Sequence, residues 1–267
     1  MIADALEEAR ESFLTTARRI ISLGPICDSC LGRQFAMLAT GFTNAERGRS
    51  LKSVMAMQAS ANEDRAFLEE LAPSFPPARL KLGRKGEDDA PCSVCLGEMA
   101  PANLDLWAER AASALNGWDY RTLLVGTLMS GLLAENEELI VADGGSLHAE
   151  PFKSELNREV GKRLSALVGK SVDLKSPDMV VHLNLEKGEV QLQVSSIFIR
   201  GRYRKLVRGI PQTRWPCREC RGRGCQRCEG TGRMYPESVD ELIRPAVMQA
   251  AKSEDTVFHG AGREDID

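Results

Sequence analysis

The clearest structural pattern in the chain is Met179-Val-Val-His-Leu-Asn-Leu-Glu-Lys-Gly-Glu-Val-Gln-Leu-Gln-Val194. Apolar and polar residues alternate on both sides of Lys187-Gly188, and this period of two is typical of strands that bury one face. A two-residue turn joins such strands into a hairpin, whose second strand would continue toward Ile197 and Ile199. Upstream, residues 153–168 carry apolar residues at helical spacing and end at a glycine. The pattern therefore predicts a helix that leads into a β-hairpin.

Further elements extend this prediction to an α+β class. Amphipathic helices are expected over residues 4–23 and roughly 52–71. Another would be capped by Asn103 and end at Asn116-Gly117, and strands would follow between 120 and 142. No glycine-rich phosphate fingerprint joins a strand to a helix, which excludes a Rossmann fold. The expected parts are residues 1–100, 101–210 and 211–267.

All eight cysteines fall into four Cys-x-x-Cys pairs. A two-residue gap lets both sulfurs of a pair face one centre, and two pairs complete a tetrahedral four-thiolate metal site. The last two pairs lie within twelve residues, so they are expected to share one ion. By elimination, the first two pairs would form the other site across a long intervening segment. The predicted quartets are Cys27, Cys30, Cys92 and Cys95, and Cys217, Cys220, Cys225 and Cys228.

Disulfides or free thiols are the alternative for these cysteines. The start Met1-Ile2-Ala3-Asp4 predicts no signal peptide, which indicates a reducing cytoplasm where disulfides are rare. No apolar run reaches the length of a membrane span. We therefore expect a cytoplasmic protein without a membrane partner and with two structural Zn²⁺ sites, because four cysteines leave no open position for water.

The distribution of charge indicates a nucleic-acid partner. The net charge is only −3, but residues 200–233 hold ten Arg and one Lys against two Glu. Such a local basic block is typical of a nucleic-acid surface, and a solvated loop around a zinc site is the alternative. Aromatic residues make up 5% of the chain, so a surface built on base stacking is not expected.

Other functional classes lack their motifs. The chain contains no His-Glu-x-x-His, P-loop or Gly-x-Ser-x-Gly sequence, which removes support for a metalloprotease, an NTPase or an α/β-hydrolase. The segment Cys217 to Gly224 is similar to the Cys-x-x-Cys-x-Gly-x-Gly unit of DnaJ-type co-chaperones. Those modules repeat the unit several times, and a single copy is expected here, which disfavours a co-chaperone.

Three sequence blocks carry a resemblance to one family. They are Cys27 to Ala36 with Thr43 to Gly48, Phe152 to Arg158 with Gly201 to Leu206, and Pro211 to Trp215 with the cysteine cluster, Ser238 to Ile243 and Ala261 to Asp265. Together they resemble the archaeal tRNA pseudouridine synthase ten family, which acts on T-arm uridines. The order and spacing of the blocks, from about residue 20 to the last residue, make the match specific.

The resemblance implies a zinc-stapled helical accessory region, a THUMP-like tRNA-binding domain and the start of a catalytic domain that contains the second four-cysteine knuckle. It implies tRNA as the partner and no organic cofactor. Asp265 would be the catalytic residue, and Arg263 would contact a phosphate or orient the carboxylate. The other RNA contacts are expected at Lys153, Arg158, Arg200, Arg202, Arg204 and Lys205.

The resemblance also implies that a catalytic sheet continues well beyond Asp265. The chain is therefore expected to be an N-terminal portion of the enzyme. Alone it is expected to make no pseudouridine, unless a second chain supplies the rest of the catalytic domain. The alternative function is a zinc-scaffolded RNA-binding or protein-interaction module without catalytic activity.

Overall fold

The computed structural model of the chain describes residues 13–144 and 148–260. Its contacts divide into two units, Met1–Ser196 and Ile197–Asp267, and the divisions expected near residues 100 and 210 fall inside these units. Helices and strands both occur, which confirms the α+β class. The described helices are α1 Phe13–Ser22, α2 Asp28–Gly32, α3 Asn44–Ala61, α4 Arg65–Leu71, α5 Pro76–Lys81, α6 Pro101–Ala114, α7 Gly131–Gly144, α8 Phe152–Val168 and α9 Val239–Ala251.

A four-stranded mixed sheet lies in the first unit. Its strands are β1 Thr122–Leu128, β2 Ser171–Val172, β3 Met179–Asn184 and β4 Glu189–Val194, in the order β2-β1-β3-β4. Strand β1 runs parallel to β2 and β3, whereas β3 and β4 form the predicted antiparallel hairpin. Met179, Val181 and Leu183 are buried at alternate positions. The hairpin prediction is therefore confirmed, although β4 ends at Val194 and does not continue to Ile199.

Two helices, α8 and α6, pack beside this sheet. Helix α8 lies against β1 and buries Leu156, Val160 and Leu164, and α6 packs on α8. The helix ends at Gly169, which has the left-handed backbone conformation (φ 65°) that glycine adopts without strain. The predicted helix over 153–168 is confirmed.

The predicted start of α6 at Asn103 is wrong. The helix begins at Pro101, with Ala100 as its N-cap. Proline suits this position because its fixed φ matches the helix and the first turn does not need its missing N–H. The Asn103 side chain instead donates to the carbonyl oxygen of Gly97, at 2.9 Å.

The strand predicted at Leu139 to Val141 is also wrong, since these residues belong to α7. The run looks continuous in sequence, but its buried members follow a helical spacing. Leu133 and Ile140 are buried and lie seven residues apart, which places them on one face of a helix, while Leu139 and Val141 are exposed. The strand prediction therefore holds only for β1.

The N-terminal helices differ from the prediction in their boundaries. Ala17, Ile20 and Ile21 of α1 are buried as predicted, but Phe13 is exposed, and residues 4–12 lie outside the described part. The helix expected over 52–71 is two helices, α3 and α4. Asp64 caps α4 by accepting the N–H of Phe67, and this new N-terminus breaks the segment.

The second unit is built around the last four cysteines, followed by α9. An isolated antiparallel bridge between Pro216 and Arg233 closes the cysteine segment, and Ser238 caps α9. Within the described ranges, no helix is both long and apolar enough to cross a membrane.

Candidate metal centres

The first four cysteines converge although up to 68 residues separate them. Cys27 caps α2 and Cys30 lies within it, while Cys92 and Cys95 lie in a turn that leads to α6. The N–H and hydroxyl of Ser93 both donate to the carbonyl oxygen of Pro25, at 2.8 and 2.9 Å, and thereby join the two knuckles. The four sulfurs lie within 4.8 Å of one another, which confirms the predicted grouping.

The last four cysteines form a second cluster of the same size, with Cys217 and Cys220 buried and Cys225 and Cys228 half-buried. A tetrahedral ion with metal–sulfur bonds of about 2.3 Å would hold its sulfurs about 3.8 Å apart. The separations are 3.7 Å for Cys27–Cys95, and 4.0, 3.8 and 3.7 Å for Cys217–Cys225, Cys220–Cys228 and Cys225–Cys228. Both clusters therefore fit a tetrahedral metal ion.

The second cluster is a tandem repeat, which corrects the expectation of a single Cys-x-x-Cys-x-Gly-x-Gly unit. The unit occurs as 217–224 and again as 225–232. The two copies have the same backbone conformation at equivalent positions. Arg221 and Glu229 both have φ 51°, and Gly222 and Gly230 both have positive φ. The eight-residue period, visible in the sequence, is the signal that would have revealed the second copy.

Glycine is required where the two repeats touch. A Cβ on Gly224 would lie 2.7 Å from the carbonyl oxygen of Gly230, and a Cβ on Gly232 would lie 2.4 Å from that of Gly222. The atoms that such a Cβ would meet are backbone carbonyl oxygens, which cannot rotate away as a side chain can. A side chain at either position would therefore separate the repeats. The glycines of the unit are therefore explained by packing.

Backbone N–H groups prepare the second cluster to bind a cation. Gly224 donates to the sulfur of Cys220, and Gly232 to the sulfur of Cys228, both at 3.2 Å. The N–H of Cys225 also donates to Cys228 Sγ at 3.2 Å, and these backbone hydrogen bonds lower the pKa of Cys228 to about 6. Thiolates bind metals and thiols do not, so these hydrogen bonds favour metal binding at Cys228.

A buried arginine serves the first cluster. Arg33 is fully buried and donates from Nη1 to the sulfur of Cys30 at 3.0 Å. Its guanidinium lies 5.2 Å from the centre of the Phe152 ring, and its carbonyl oxygen accepts the N–H of Glu150 at 2.8 Å. Arg33 therefore joins the cluster to the start of α8. Sequence reasoning missed this role, although the position three residues after Cys30 was a usable signal.

A close glycine contact fixes α2, and with it Cys30, against α3. A Cβ on Gly32 would lie 1.8 Å from the carbonyl oxygen of Asn44, and a Cβ on Gly48 would lie 1.9 Å from that of Asp28. The buried ammonium of Lys52 donates to the carbonyl oxygen of Ile26 at 2.5 Å and pairs with Asp28 at 2.9 Å. These contacts fix the position of the first knuckle against α3.

A cleft of about 840 Å³ lies between the first cluster and α8. Arg158 lines it, but its guanidinium is held by both carboxylate oxygens of Glu150 and lies 3.5 Å from Glu159. Glu155 is buried in its wall, and burial raises the pKa of its carboxyl to about 7 although Arg33 lies nearby. Arg158, Lys162 and Arg163 of this cleft are therefore already paired with carboxylates.

The predicted RNA-contacting residues are divided between the two units. Lys153 and Arg158 lie on α8 in the first unit, and Lys153 is exposed. Arg200, Arg202, Arg204 and Lys205 are exposed and lie in the second unit, in a segment without helix or strand. Asp265 and Arg263 lie outside the described residues.

Comparisons with known proteins match both units. The archaeal Pus10 THUMP domain matches residues 107–184, which contain most of α6 and the strands β1 to β3, and the Pus10 C-terminal domain matches residues 198–267. A protein of Methanothrix thermoacetophila named tRNA pseudouridine synthase Pus10 is 62% identical over 95% of this chain. Proteins with the same name from Halorubrum lacusprofundi and Methanopyrus kandleri are 40% identical over 95% and 90% of this chain. No solved structure matches.

The mixed sheet and its helices thus define a THUMP-domain protein that carries two four-cysteine clusters. The two domain matches and these relatives show more: the chain belongs to the Pus10 family. It spans 57%, 56% and 56% of the lengths of the three named relatives.

Proposed function

We propose that the chain is the tRNA-engaging portion of a tRNA pseudouridine synthase. The THUMP match over 107–184 carries the proposal, because it covers most of the sheet and the helix α8. The name of these relatives, tRNA pseudouridine synthase, supplies the reaction. Since the chain spans little more than half of these relatives, the activity of the whole protein is a proposal for this chain.

We propose that phosphates of tRNA bind to exposed cations in both units. Lys153 on α8 has no ion-pair partner among the described residues, and Arg200, Arg202 and Arg204 share an exposed segment with Lys205. Arg158 is a weaker candidate, because a phosphate would have to compete with Glu150. Arg263 completes the proposed set: Lys153, Arg158, Arg200, Arg202, Arg204, Lys205 and Arg263.

We propose Zn²⁺ as the ion of both clusters. Four thiolates at tetrahedral spacing suit zinc, and a four-cysteine site with no open position is structural. The ions would hold together segments that are distant in sequence in the first unit and adjacent in the second.

The zinc proposal predicts two zinc ions per chain. Elemental analysis of protein purified without added metal or chelator measures the ratio directly. If the analysis finds iron in place of zinc, the proposed identity of the metal is wrong. If it finds one metal ion per chain or none, the pairing of the cysteines into two quartets is wrong.

We propose Asp265 as the catalytic residue. The reaction breaks the bond between uracil N1 and ribose C1′, turns the base, and forms a bond between C5 and C1′. The proton lost at C5 is balanced by one gained at N1, so neither a metal nor an organic cofactor is consumed. A carboxylate can assist as nucleophile or base, and Arg263 would hold a phosphate or orient that carboxylate.

Formation of pseudouridine in the T arm of an unmodified tRNA tests this function. The assay compares this chain alone, this chain with any in-frame continuation of its gene, and this chain mixed with a second chain that carries such a continuation. Pseudouridine in any of the three supports an enzyme. If all three bind tRNA but leave its uridines unchanged, the alternative holds, namely a zinc-scaffolded RNA-binding or protein-interaction module.

A further inference from the structure

The second cysteine cluster carries an unequal distribution of charge. Its two repeats have the same backbone and the same cysteine and glycine positions, so the remaining positions are free to vary. In the first repeat three of these positions are Arg218, Arg221 and Arg223. In the second repeat the equivalent positions are Gln226, Glu229 and Thr231. The fold of a repeat therefore does not require arginine at these positions.

The three arginines of the first repeat, here called the arginine triad, are exposed and unpaired. Among the described residues, none of the three has a carboxylate within salt-bridge distance. Other arginines of this unit are paired: Arg227 with Glu219, Arg233 with Glu241 and Arg244 with Asp240. Within the two cysteine repeats, where Arg227 is paired with Glu219, the triad thus carries the positive charge that no described carboxylate neutralises.

The triad does not serve the cysteines as Arg33 does in the first cluster. Arg33 is buried and donates to Cys30 Sγ, whereas the hydrogen bonds recorded for the second cluster's sulfurs come from backbone N–H groups and from the cysteines themselves. Within the described residues, the only hydrogen bond made by a triad side chain is the one that Arg223 Nε donates to the carbonyl oxygen of Cys220, at 3.3 Å. Support of the cluster therefore leaves the triad unexplained.

We propose that the arginine triad is a phosphate-binding surface that engages the backbone of RNA. Its three residues fall within a six-residue span of the first knuckle, whose backbone is fixed by N–H···S bonds, and all three are exposed. Guanidinium groups bind phosphate oxygens through paired hydrogen bonds. The surface rests on the proposed tRNA function and adds residues outside both the THUMP match and the 200–205 segment.

Filter binding of unmodified tRNA to the whole chain at several salt concentrations tests the surface. In R218Q/R221Q/R223Q, three lost phosphate contacts should reduce the slope of log affinity against log salt by about 2 to 3 and weaken binding by about tenfold or more at 0.1 M salt. The variant R218K/R221K/R223K should retain most of the slope, because charge and not repeat structure determines it. Both variants should still hold two zinc ions.

Three results would overturn the proposal. If the wild-type chain binds tRNA and the glutamine variant binds it with the same slope, the triad does not contact RNA, and an acidic protein partner becomes the occupant to test. If the glutamine variant and the lysine variant both lose zinc, the triad supports the structure of the cluster and is not a phosphate-binding surface. If the wild-type chain itself does not bind tRNA, the proposed function fails together with the triad.

Discussion

The substitution Gly48→Ala is expected to prevent the first metal centre from forming. The new Cβ would lie 1.9 Å from the carbonyl oxygen of Asp28, and 2.9 Å from the backbone nitrogen of Gly32. Backbone atoms cannot rotate away, so α2 must move off α3 by more than an ångström. Because α2 carries Cys30 and is capped by Cys27, this movement would separate two sulfurs from Cys92 and Cys95.

We expect the Gly48→Ala chain to hold one zinc ion instead of two and to lose roughly 3 kcal/mol or more of unfolding free energy in its first unit. Elemental analysis and thermal unfolding measure the two effects. The matched control is Gly161→Ala, also inside a helix, where the new Cβ meets only a Val125 methyl at 3.8 Å. The control should keep both ions and gain up to about 1 kcal/mol from helix propensity. Two zinc ions in both variants would contradict the account of the α2–α3 contact.

The substitution Asp265→Asn is expected to abolish pseudouridine formation, with a loss of at least about a thousandfold. The amide has nearly the same shape as the carboxylate but is neither a nucleophile nor a base at neutral pH. Binding of tRNA should change by less than about twofold, because the proposed phosphate contacts are retained. The assay uses whichever form of the protein makes pseudouridine.

Asp267→Asn is the matched control for this prediction, since it removes the same charge two residues further along. It should keep full activity. An Asp265→Asn variant that retains more than about a tenth of the wild-type rate would show that the carboxylate is not the catalytic group.

Features determined by local spacing were predictable from the sequence. The grouping of the last four cysteines followed from two-residue gaps within twelve residues, and the α8 helix and the β3–β4 hairpin followed from their periods of 3.6 and 2. The family resemblance also came from short blocks in a fixed order. In these cases, the information that specifies the structure lies within a few turns or one strand pair.

Apart from the first cysteine quartet, which followed by elimination, features determined by contacts between distant segments were not predictable. The block Thr43 to Gly48 was noticed only as a family pattern, and the structure explains it: Thr43 and Glu46 form a capping box, and Gly48 allows the α2 contact. The role of Arg33 depends on Phe152 and Glu150, more than a hundred residues away. The α7 segment was mistaken for a strand because a short apolar run does not distinguish the two structures.

Engagement of tRNA through phosphate contacts is measured by the affinity of the wild-type chain for unmodified tRNA between 50 and 200 mM salt. Contacts to at least four phosphates predict that binding weakens by about a hundredfold over this range, because each contact releases condensed counterions. A chain that holds two zinc ions but does not bind tRNA, or binds it with an affinity independent of salt, would contradict the account.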